Sequence, residues 1–303
     1  MNEALTRILS MFAIIIIGNL LRMTGLVKRD DFRTVTNIQI YVALPAAILL
    51  NFDGFQIDAS FAVLPVLAIV FFFLTCLFIT CTQRNKSRQD CAFLILNSSA
   101  YNTGGFSLVF AQNLLPSAGV VAVSLFDIGN CVTTSVFCYI VASAVLSERG
   151  KITPRYVVSQ LLHSFPFLIY FTATALCLLR IRLPEFIMAP ARLIAPANTV
   201  LAMLSVGIGM NLRISRSELK LLMKAVGYRY IMAVPLALIC WFLLPFDKTM
   251  RMALLFVSFS SSTLFGAVYT AKIDGNYALA NTVISVTSII STLIVTCLMM
   301  YLY

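Results

Sequence analysis

Long apolar runs separated by short charged loops occupy the whole chain. The runs without a charged residue are 8–21, 34–52, 59–83, 91–126, 128–147, 156–179, 193–212, 230–246, 252–271 and 275–303. A helix needs about 20 mostly apolar residues to span a membrane. The run 91–126 is too long for one such helix, and the turn-forming stretch QNLLPS at 112–117 divides it. The next helix then continues past Asp127, and the pattern predicts ten transmembrane helices.

Composition and charge place these helices in a membrane and orient them. The chain is 60% hydrophobic and 11% charged, whereas soluble domains carry about 25% charged residues. Lysine and arginine are concentrated in the odd-numbered loops, which therefore face the cytoplasm. Both termini are predicted on the extracytoplasmic side of the cell inner (plasma) membrane. The net charge of +10 then favours anionic membrane lipids as partners. Nucleic acid is not expected, because the basic residues flank the spans instead of forming one patch.

The ten predicted helices divide into two sets of five. The first set occupies residues 1–146, a charged linker follows at 147–156, and the second set occupies 157–303. If the halves are copies of one another, the odd number of helices makes the second half enter the membrane in the opposite direction. Such inverted repeats are common in transporters, with the substrate site between the repeats near the middle of the bilayer. The predicted fold class is an all-α polytopic membrane protein built from two inverted five-helix repeats.

Polar and glycine residues interrupt the fourth predicted helix. The stretch SSAYNTGGF occupies 98–106, and aligning Gly105 with Gly266 at an offset of 161 residues brings FSSSTLFGA at 259–267, in the ninth helix, opposite it. Glycine costs about 1 kcal/mol relative to alanine inside a helix, so two adjacent glycines after Asn and Thr favour an opening. Broken helices are tolerated inside a membrane only where protein buries them or where they line a wet cavity.

An opened helix offers an anion site without a basic residue. The N–H groups at the start of its second half have no helical acceptor, and the helix dipole is positive there. The predicted substrate-binding residues are Asn102, Thr103, Gly104, Gly105, Ser99, Ser261, Ser262 and Thr263, and Gly266 is predicted to support the crossover. The alternative interpretation is that these small residues only mediate helix packing, as they often do in membranes.

Three ionisable residues inside the predicted spans are functional candidates. Asp127 is the only carboxylate well inside a span, and Asn130 lies one turn further on the same helix face. Asp127 is predicted to carry a proton, hold a cation or cap the nearby broken helix; a purely structural hydrogen-bonding role is the alternative. His163 is expected to be a packed or interfacial histidine instead of a proton relay. Arg229 is expected to extend to the cytoplasmic surface, with contact to substrate as the alternative.

Motifs for enzymatic chemistry and resident cofactors are absent from the sequence. The eight cysteines form no CxxC pair, so neither a disulfide nor a metal centre is predicted. No GxxxxGK[ST] loop is present, which excludes a nucleotide-driven pump within this chain. An intramembrane aspartyl protease needs two membrane carboxylates, whereas one is present, and no serine lies in a GxSG motif. The chain is therefore not expected to be an enzyme, and the only accessory ligand considered is a co-transported proton or sodium ion.

Four stretches resemble the auxin efflux carrier family of membrane transporters, which includes bacterial permeases and plant carriers. VALPAAIL at 42–49 is similar to the proline-bearing second helix of the family, and YNTGGF at 101–106 is similar to its Asn-Thr-Gly crossover. FDIGN at 126–130 is similar to an element of the family's helix five, and the spacing of the last helix fits over 278–291. Together these stretches span most of the chain.

The resemblance implies broken fourth and ninth helices that cross beside the substrate, and alternating access around a scaffold of helices 1, 2, 6 and 7. Its substrates would be small organic anions, such as auxin-like acids or dicarboxylates. Asn102, Thr103 and Gly104 would be the crossover residues, and Asp127 and Asn130 the pair on helix five. The predicted function is secondary transport of a mono- or dicarboxylate. The alternative is a sodium- or proton-coupled cation antiporter, or a sodium symporter, of related architecture. The oligomeric state stays open, with a homodimer as one option.

Overall fold

The computed structural model of the chain describes residues 3–146, 154–210 and 214–302, and its elements in these ranges are helices and turns without a β-strand. Seven helical segments there are long and apolar enough to cross a membrane, and an eighth crossing is added if two helices bent by 83° form one span. The all-α, multi-pass membrane class is therefore confirmed. Residues 147–153 of the predicted linker lie outside the described ranges, and the next helix begins at Pro154.

The helices are numbered along the chain. Their bounds are α1 Glu3–Met23, α2 Phe32–Ile38, α3 Leu44–Phe52, α4 Val63–Thr82, α5 Arg88–Ser98, α6 Leu108–Leu114, α7 Ser117–Val132, α8 Cys138–Val145, α9 Pro154–His163, α10 Phe165–Leu178, α11 Glu185–Ile194, α12 Ala197–Gly209, α13 Arg216–Leu238, α14 Lys248–Ser258, α15 Leu264–Lys272 and α16 Tyr277–Leu302. Short π-helical turns, which often occur at functional sites, are Gln39–Ala43, Thr103–Ser107, Thr133–Phe137 and Ile239–Leu243.

One proline inside an apolar segment is accommodated by such a wider turn. Pro45 is the second residue of α3, which follows the π-helical turn Gln39–Ala43. A proline has no N–H to donate and pushes away the carbonyl four residues earlier, and here that carbonyl belongs to Tyr41 in the π-helical turn. A local π adjustment lets freed backbone groups find new partners. The chain therefore stays helical through this apolar segment.

The predicted turn at 112–117 is present, because α6 ends at Leu114 and α7 begins at Ser117. From there α7 and α8 form one apolar segment, Ser117–Val145, as the sequence pattern predicted.

The only histidine, His163, is the last residue of α9 and lies immediately before the bend between α9 and α10. Its side chain is exposed, and its ring contacts the carbonyl of Ser159.

Protein surrounds the two segments that carry the interruptions. Helix α7 occupies a central position and packs against α3, α4, α6, α10 and α14. Every residue of α5 from Cys91 to Ser98 is buried, and so is every residue of α14 from Met252 to Ser258. A helix that is apolar and buried on all sides belongs inside a bundle instead of at its lipid-facing surface. Interruptions at the ends of these helices are therefore enclosed by other helices, which is the condition for breaking a helix in a membrane.

Candidate functional site

Two helices stop and restart inside this bundle. Helix α5 ends at Ser98, and helical structure resumes at Thr103, while α14 ends at Ser258 and α15 begins at Leu264. The two restart points are 161 residues apart, which equals the offset of the sequence alignment. A helix end leaves carbonyl groups without donors, and a helix start leaves N–H groups without acceptors. Because lipid supplies neither, both breaks need partners from the protein.

An antiparallel crossing joins the two breaks. Tyr101 and Ser262 form an isolated β-bridge, and the Asn102 N–H donates to the Ser261 carbonyl at 3.0 Å. The Asn102 side-chain amide also donates to the Ser261 hydroxyl at 3.2 Å. The Ser262 N–H donates to the Thr287 hydroxyl of α16 at 3.0 Å. Much of the backbone opened by the breaks is thus paired within the crossing itself or with a neighbouring helix.

One arginine binds carbonyl groups at the C-terminal ends of α5 and α14, the first halves of the two broken helices. Arg229 of α13 is 3% exposed. Its Nε donates to the Ser260 carbonyl at 2.6 Å, and its Nη1 donates to the carbonyls of Ala100 and Ser98 at 2.6 and 3.3 Å. The guanidinium carbon lies 4.8 Å from the centroid of the Tyr101 ring, within the range of a cation–π contact.

The prediction that Arg229 extends to the cytoplasmic surface is therefore wrong. The guanidinium group carries five N–H donors in a planar fork, so it suits a place where several carbonyls lack donors. It also places a positive charge at the negative ends of two helix dipoles. The crossover therefore contains a fixed cation, contrary to the expectation that helix ends alone would provide its positive potential.

Asp127 and Asn130 of α7 contact the first break from another side. Asp127 is 3% exposed, and its Oδ1 accepts a hydrogen bond from Asn130 Nδ2 at 2.7 Å. The same amide group lies 2.9 Å from the Tyr101 carbonyl and 3.1 Å from the Thr103 hydroxyl. Asn130 Oδ1 in turn accepts from the Tyr101 N–H at 3.1 Å. Asn130 thus connects the carboxylate with the backbone of the break.

The Asp127 carboxylate lies beside the first turn after the break. A Cβ placed on Gly104 would be 3.6 Å from Asp127 Oδ2 and 3.4 Å from the Tyr170 hydroxyl of α10. This turn is the positive end of a helix dipole, which stabilises a negative charge. Negatively charged Asp127 therefore lies near the N-terminal end of the restarting helix, and positively charged Arg229 lies at the C-terminal ends of α5 and α14.

A cavity of about 480 Å³ opens beside the crossover. Its wall is formed by α2, the restart of the first broken helix, α7, α15 and the beginning of α16. Exposed Arg33 and Asn37 of α2 lie at one end of this wall, and the Arg33 Nη2 donates to the Tyr277 hydroxyl of α16 at 2.9 Å. The cavity wall therefore reaches the exposed surface at the part of α2 that carries Arg33.

Buried amide side chains connect the helices on the side of the crossover where α6 ends. Asn198 of α12 is fully buried; its Nδ2 donates to Gln112 Oε1 at 2.8 Å, and its Oδ1 accepts from Gln39 Nε2 at 3.3 Å. The neighbouring Asn113 Nδ2 donates to the Thr199 hydroxyl at 2.7 Å. These contacts tie α6 to α12 and to the π-turn after α2, so they hold that side of the crossover closed.

The cavity wall contains a majority of the residues that the sequence predicted. Those in the wall are Asn102, Thr103, Gly104, Gly105, Thr263, Asp127 and Asn130. Ser99, Ser261 and Ser262 are buried outside the wall. The Ser99 hydroxyl donates to the carbonyl of Ile95, and the Ser262 hydroxyl donates to the carbonyl of Asn97, both at 2.6 Å. The hydroxyl groups of Ser99 and Ser262 thus satisfy backbone carbonyls near the helix ends, and that of Ser261 accepts from the Asn102 side chain.

Two of the predicted glycines allow close approach. A Cβ on Gly266 would lie 2.5 Å from the Leu96 carbonyl oxygen, so Gly266 lets α15 contact the backbone of α5. A Cβ on Gly105 would lie 2.7 Å from Asn102 Oδ1, so Gly105 makes room for the Asn102 side chain to fold over the restarting helix.

A smaller recess continues from the cavity on the other side of Asn102. It has a volume of about 50 Å³ and lies between α2, α12, α16 and the crossover. Asn102, Gly105, Thr36 and Gln39 belong to the walls of both spaces. The sequence analysis did not identify Thr36, Asn37 and Gln39, in α2 and the π-turn after it, although these polar residues interrupt an apolar run within four positions. Tyr170 was missed as well, since nothing near it in the sequence is unusual.

Comparison with known proteins adds no assignment. No model of a known protein family matches the chain, and no curated protein matches it at a significant level. Within the described residues, no group of three or more His, Cys, Asp or Glu side chains is arranged to hold a metal ion.

Proposed function

We propose that the protein is a secondary transporter of small organic anions, such as mono- or dicarboxylates, and that it works by alternating access as in the auxin efflux carrier family. The observation that carries this proposal is the cavity of about 480 Å³ whose wall contains the restart of a broken helix. Small-molecule sites commonly have volumes of about 300–1,000 Å³. Transporters built from repeats bind their substrates at such discontinuous helices.

A repeat in the order of the helices supports this architecture. When 161 is added to its residue numbers, the range of α1 overlaps that of α10. The same shift makes the range of α4 overlap that of α13, and the range of Ser117–Val145 overlap that of α16. We infer ten crossings. Seven are the long apolar segments, one is the bent pair α9–α10, and the fourth and ninth are the broken pairs α5–α6 and α14–α15. Because each repeat has five crossings, the two repeats are inverted.

The restart of the first broken helix supplies donors for an anion. The N–H groups of Thr103, Gly104 and Gly105 begin a helical segment and have no acceptor within it. Gly104 and Gly105 are partly exposed in the cavity wall, beside the Asn102 side chain. A carboxylate that accepts from these groups also gains from the positive end of the dipole. The charge of Arg229, behind the Tyr101 ring, adds positive potential that a low-dielectric interior screens weakly.

Asp127 makes anion binding depend on a proton in this proposal. When ionised, its carboxylate occupies the same positive helix end that would attract the substrate, and two negative charges there repel each other. When protonated, it leaves that end free and can donate a hydrogen bond. We therefore propose that the anion binds together with a proton on Asp127, which makes the protein a proton-coupled carrier.

The two ends of the crossover support alternating access. The cavity wall reaches the surface at Arg33, which we take as its open end, and the amide contacts around Asn198 join the helices on the other side. With the basic loops in the cytoplasm, the open end is the cytoplasmic end and both termini are extracytoplasmic, in the cell inner membrane. Rocking of the broken helices against a scaffold of α1, α2–α3, α9–α10 and α11–α12 would separate the amide contacts and close the cavity.

Substitution of Asn102 tests the site. We expect Asn102→Ala to weaken carboxylate binding at least about tenfold, because the side chain covers the restart and lost positioning is costly. The assay is a thermal-shift titration of purified protein with mono- and dicarboxylates, since a ligand that binds only the folded state raises its stability. Asn51→Ala is the matched control, because the Asn51 side chain donates to the Ala47 carbonyl of its own helix and lines neither the cavity nor the recess. Equal binding by both variants would refute the site.

A coupled cation antiporter is the second candidate, and buried Asp127 is the observation that favours it. A carboxylate beside several oxygen atoms can bind a sodium ion or a proton without an organic anion. Uptake into proteoliposomes separates the two functions. An anion carrier accumulates labelled carboxylate when a proton gradient is imposed, whereas an antiporter moves sodium against protons and leaves every carboxylate outside.

A further inference from the structure

The recess beside the cavity is built from uncharged polar groups. Its volume is about 50 Å³, and a single water needs about 10–15 Å³, so it can take a group of a few non-hydrogen atoms. Its wall contains no lysine, arginine, aspartate or glutamate, and its polar members are Thr36, Gln39, Asn102, Ser205, Asn281, Ser285 and Ser288. A charged group would lose its hydration there without gaining an opposite charge.

Two hydroxyl groups in this wall are buried and lack hydrogen-bond partners among the described residues. They belong to Thr36 of α2, which is 8% exposed, and to Ser288 of α16, which is 3% exposed. Buried polar groups are nearly always paired, so each unpaired one calls for an explanation. The other wall serines differ, because the Ser205 and Ser285 hydroxyls donate to carbonyls of their own helices. Thr36 and Ser288 therefore have no partner that a guest would have to displace.

The recess and the larger cavity share a wall that includes Asn102 and Gly105. One small molecule can therefore extend from the restart of the broken helix into the recess. Its anionic end would lie at the N–H groups of the restart, and its other end would meet Thr36 and Ser288. A hydroxyl both donates and accepts, as these side chains do.

We propose that the recess is a subsite for the uncharged hydroxyl end of the transported anion, with Thr36 and Ser288 as its binding residues, so that the preferred substrates are small hydroxycarboxylates. This inference rests on the proposed transport of organic anions. Each neutral hydrogen bond changes an equilibrium constant by a factor of about 2–10. Two bonds in the recess are thus expected to give a preference of about tenfold over an analogue without the hydroxyl.

Matched pairs of acids test the subsite in the purified full-length protein. The probes are propionate and lactate, butyrate and 3-hydroxybutyrate, and glutarate and 2-hydroxyglutarate, titrated by thermal shift. In the wild type we expect the hydroxy acid of at least one pair to bind about tenfold more tightly than its partner. In Thr36→Val and Ser288→Ala this ratio should fall to within about twofold, while binding of the acid without the hydroxyl is retained. Neither variant should be less stable, since each removes an unpaired buried hydroxyl.

Ser143→Ala is the control variant. Ser143 of α8 also has a buried hydroxyl without a partner among the described residues, but it lines neither the cavity nor the recess. It should keep the preference of the wild type. Equal affinities within every pair, or ratios that stay unchanged in Thr36→Val and Ser288→Ala, would overturn the subsite and leave anion transport standing. Absence of binding by all six acids would instead refute the proposed function and the subsite with it.

Discussion

Removal of the Arg229 side chain is expected to loosen both breaks at once. The guanidinium donates to the carbonyls of Ser260, Ala100 and Ser98, which lie at the ends of the two first half-helices. Methionine has a similar length and no N–H donor. The substitution Arg229→Met therefore largely preserves the packing volume while leaving three buried carbonyl groups without this donor.

The size of the effect follows from these three hydrogen bonds. Hydrogen bonds between helices in membrane proteins average about 0.6 kcal/mol, and an unpaired buried acceptor costs about 1–3 kcal/mol. Losing the desolvation cost of the arginine itself offsets part of this loss, and the contact to Ser98, at 3.3 Å, is the longest of the three. We expect a net loss of about 2–5 kcal/mol in the free energy of unfolding.

Thermal unfolding of the purified protein measures this loss. A change of 1 kcal/mol shifts the midpoint of a domain of 150–250 residues by about 2–4 °C, and less in a longer chain, so a fall of about 3 °C or more is expected here. Lys224→Met is the matched control on the same helix, because the partly buried Lys224 makes one hydrogen bond, to Gln83 Oε1 at 3.1 Å. A single hydrogen bond of this kind contributes about 0.5–1.5 kcal/mol. If Arg229→Met and Lys224→Met unfold at the same temperature, the structural role of Arg229 is wrong.

Two further substitutions test the crossover. Asp127→Asn is expected to keep the fold, because the amide has the same shape. It should remove the stimulation of carboxylate uptake by an imposed proton gradient in proteoliposomes. Persistent stimulation would mean that another group carries the proton. Gly266→Ala is expected to lower the unfolding midpoint, because its Cβ would lie 2.5 Å from a backbone carbonyl oxygen of α5 that cannot move independently. Gly227→Ala, whose Cβ would meet nothing within 4 Å, is its control, and equal midpoints for these two variants would contradict the close approach of α15 and α5.

The sequence predicted features that have a local cause. Apolar runs of the right length marked the long spans, and the stretch at 112–117 marked the turn between α6 and α7. The first break was equally visible, because Asn102 and two adjacent glycines are unusual inside an apolar run. Burial of Asp127 followed from its distance along the helix. Each of these predictions needed only the residues of one segment and the properties of a bilayer.

Features that depend on the meeting of distant segments could not be predicted in this way. Arg229 lies near one end of its apolar run, where a basic side chain normally reaches the membrane surface. Its actual partners lie 31 to 131 positions away in the chain. The Ser262 hydroxyl likewise bonds to a carbonyl 165 positions away, which a cluster of serines in the sequence does not reveal. Only the three-dimensional packing distinguishes a serine that faces a cavity from one that satisfies a helix end.

The charges at the crossover constrain which ligand the proposed carrier could bind. Arg229 compensates the negative ends of two half-helices, and Asp127 lies at a positive end, so the ionised pair leaves the crossover without a net charge. A carboxylate that binds about 4 Å from an ionised Asp127 would experience a repulsion of about 4 kcal/mol at an effective dielectric constant of 20. That energy corresponds to about a thousandfold loss of affinity. A proton on Asp127 removes the repulsion and restores neutrality once the anion has bound. If the proposed function holds, one negative charge binds together with one proton, and a bound carboxylate should stabilise the wild-type protein more strongly as the pH falls.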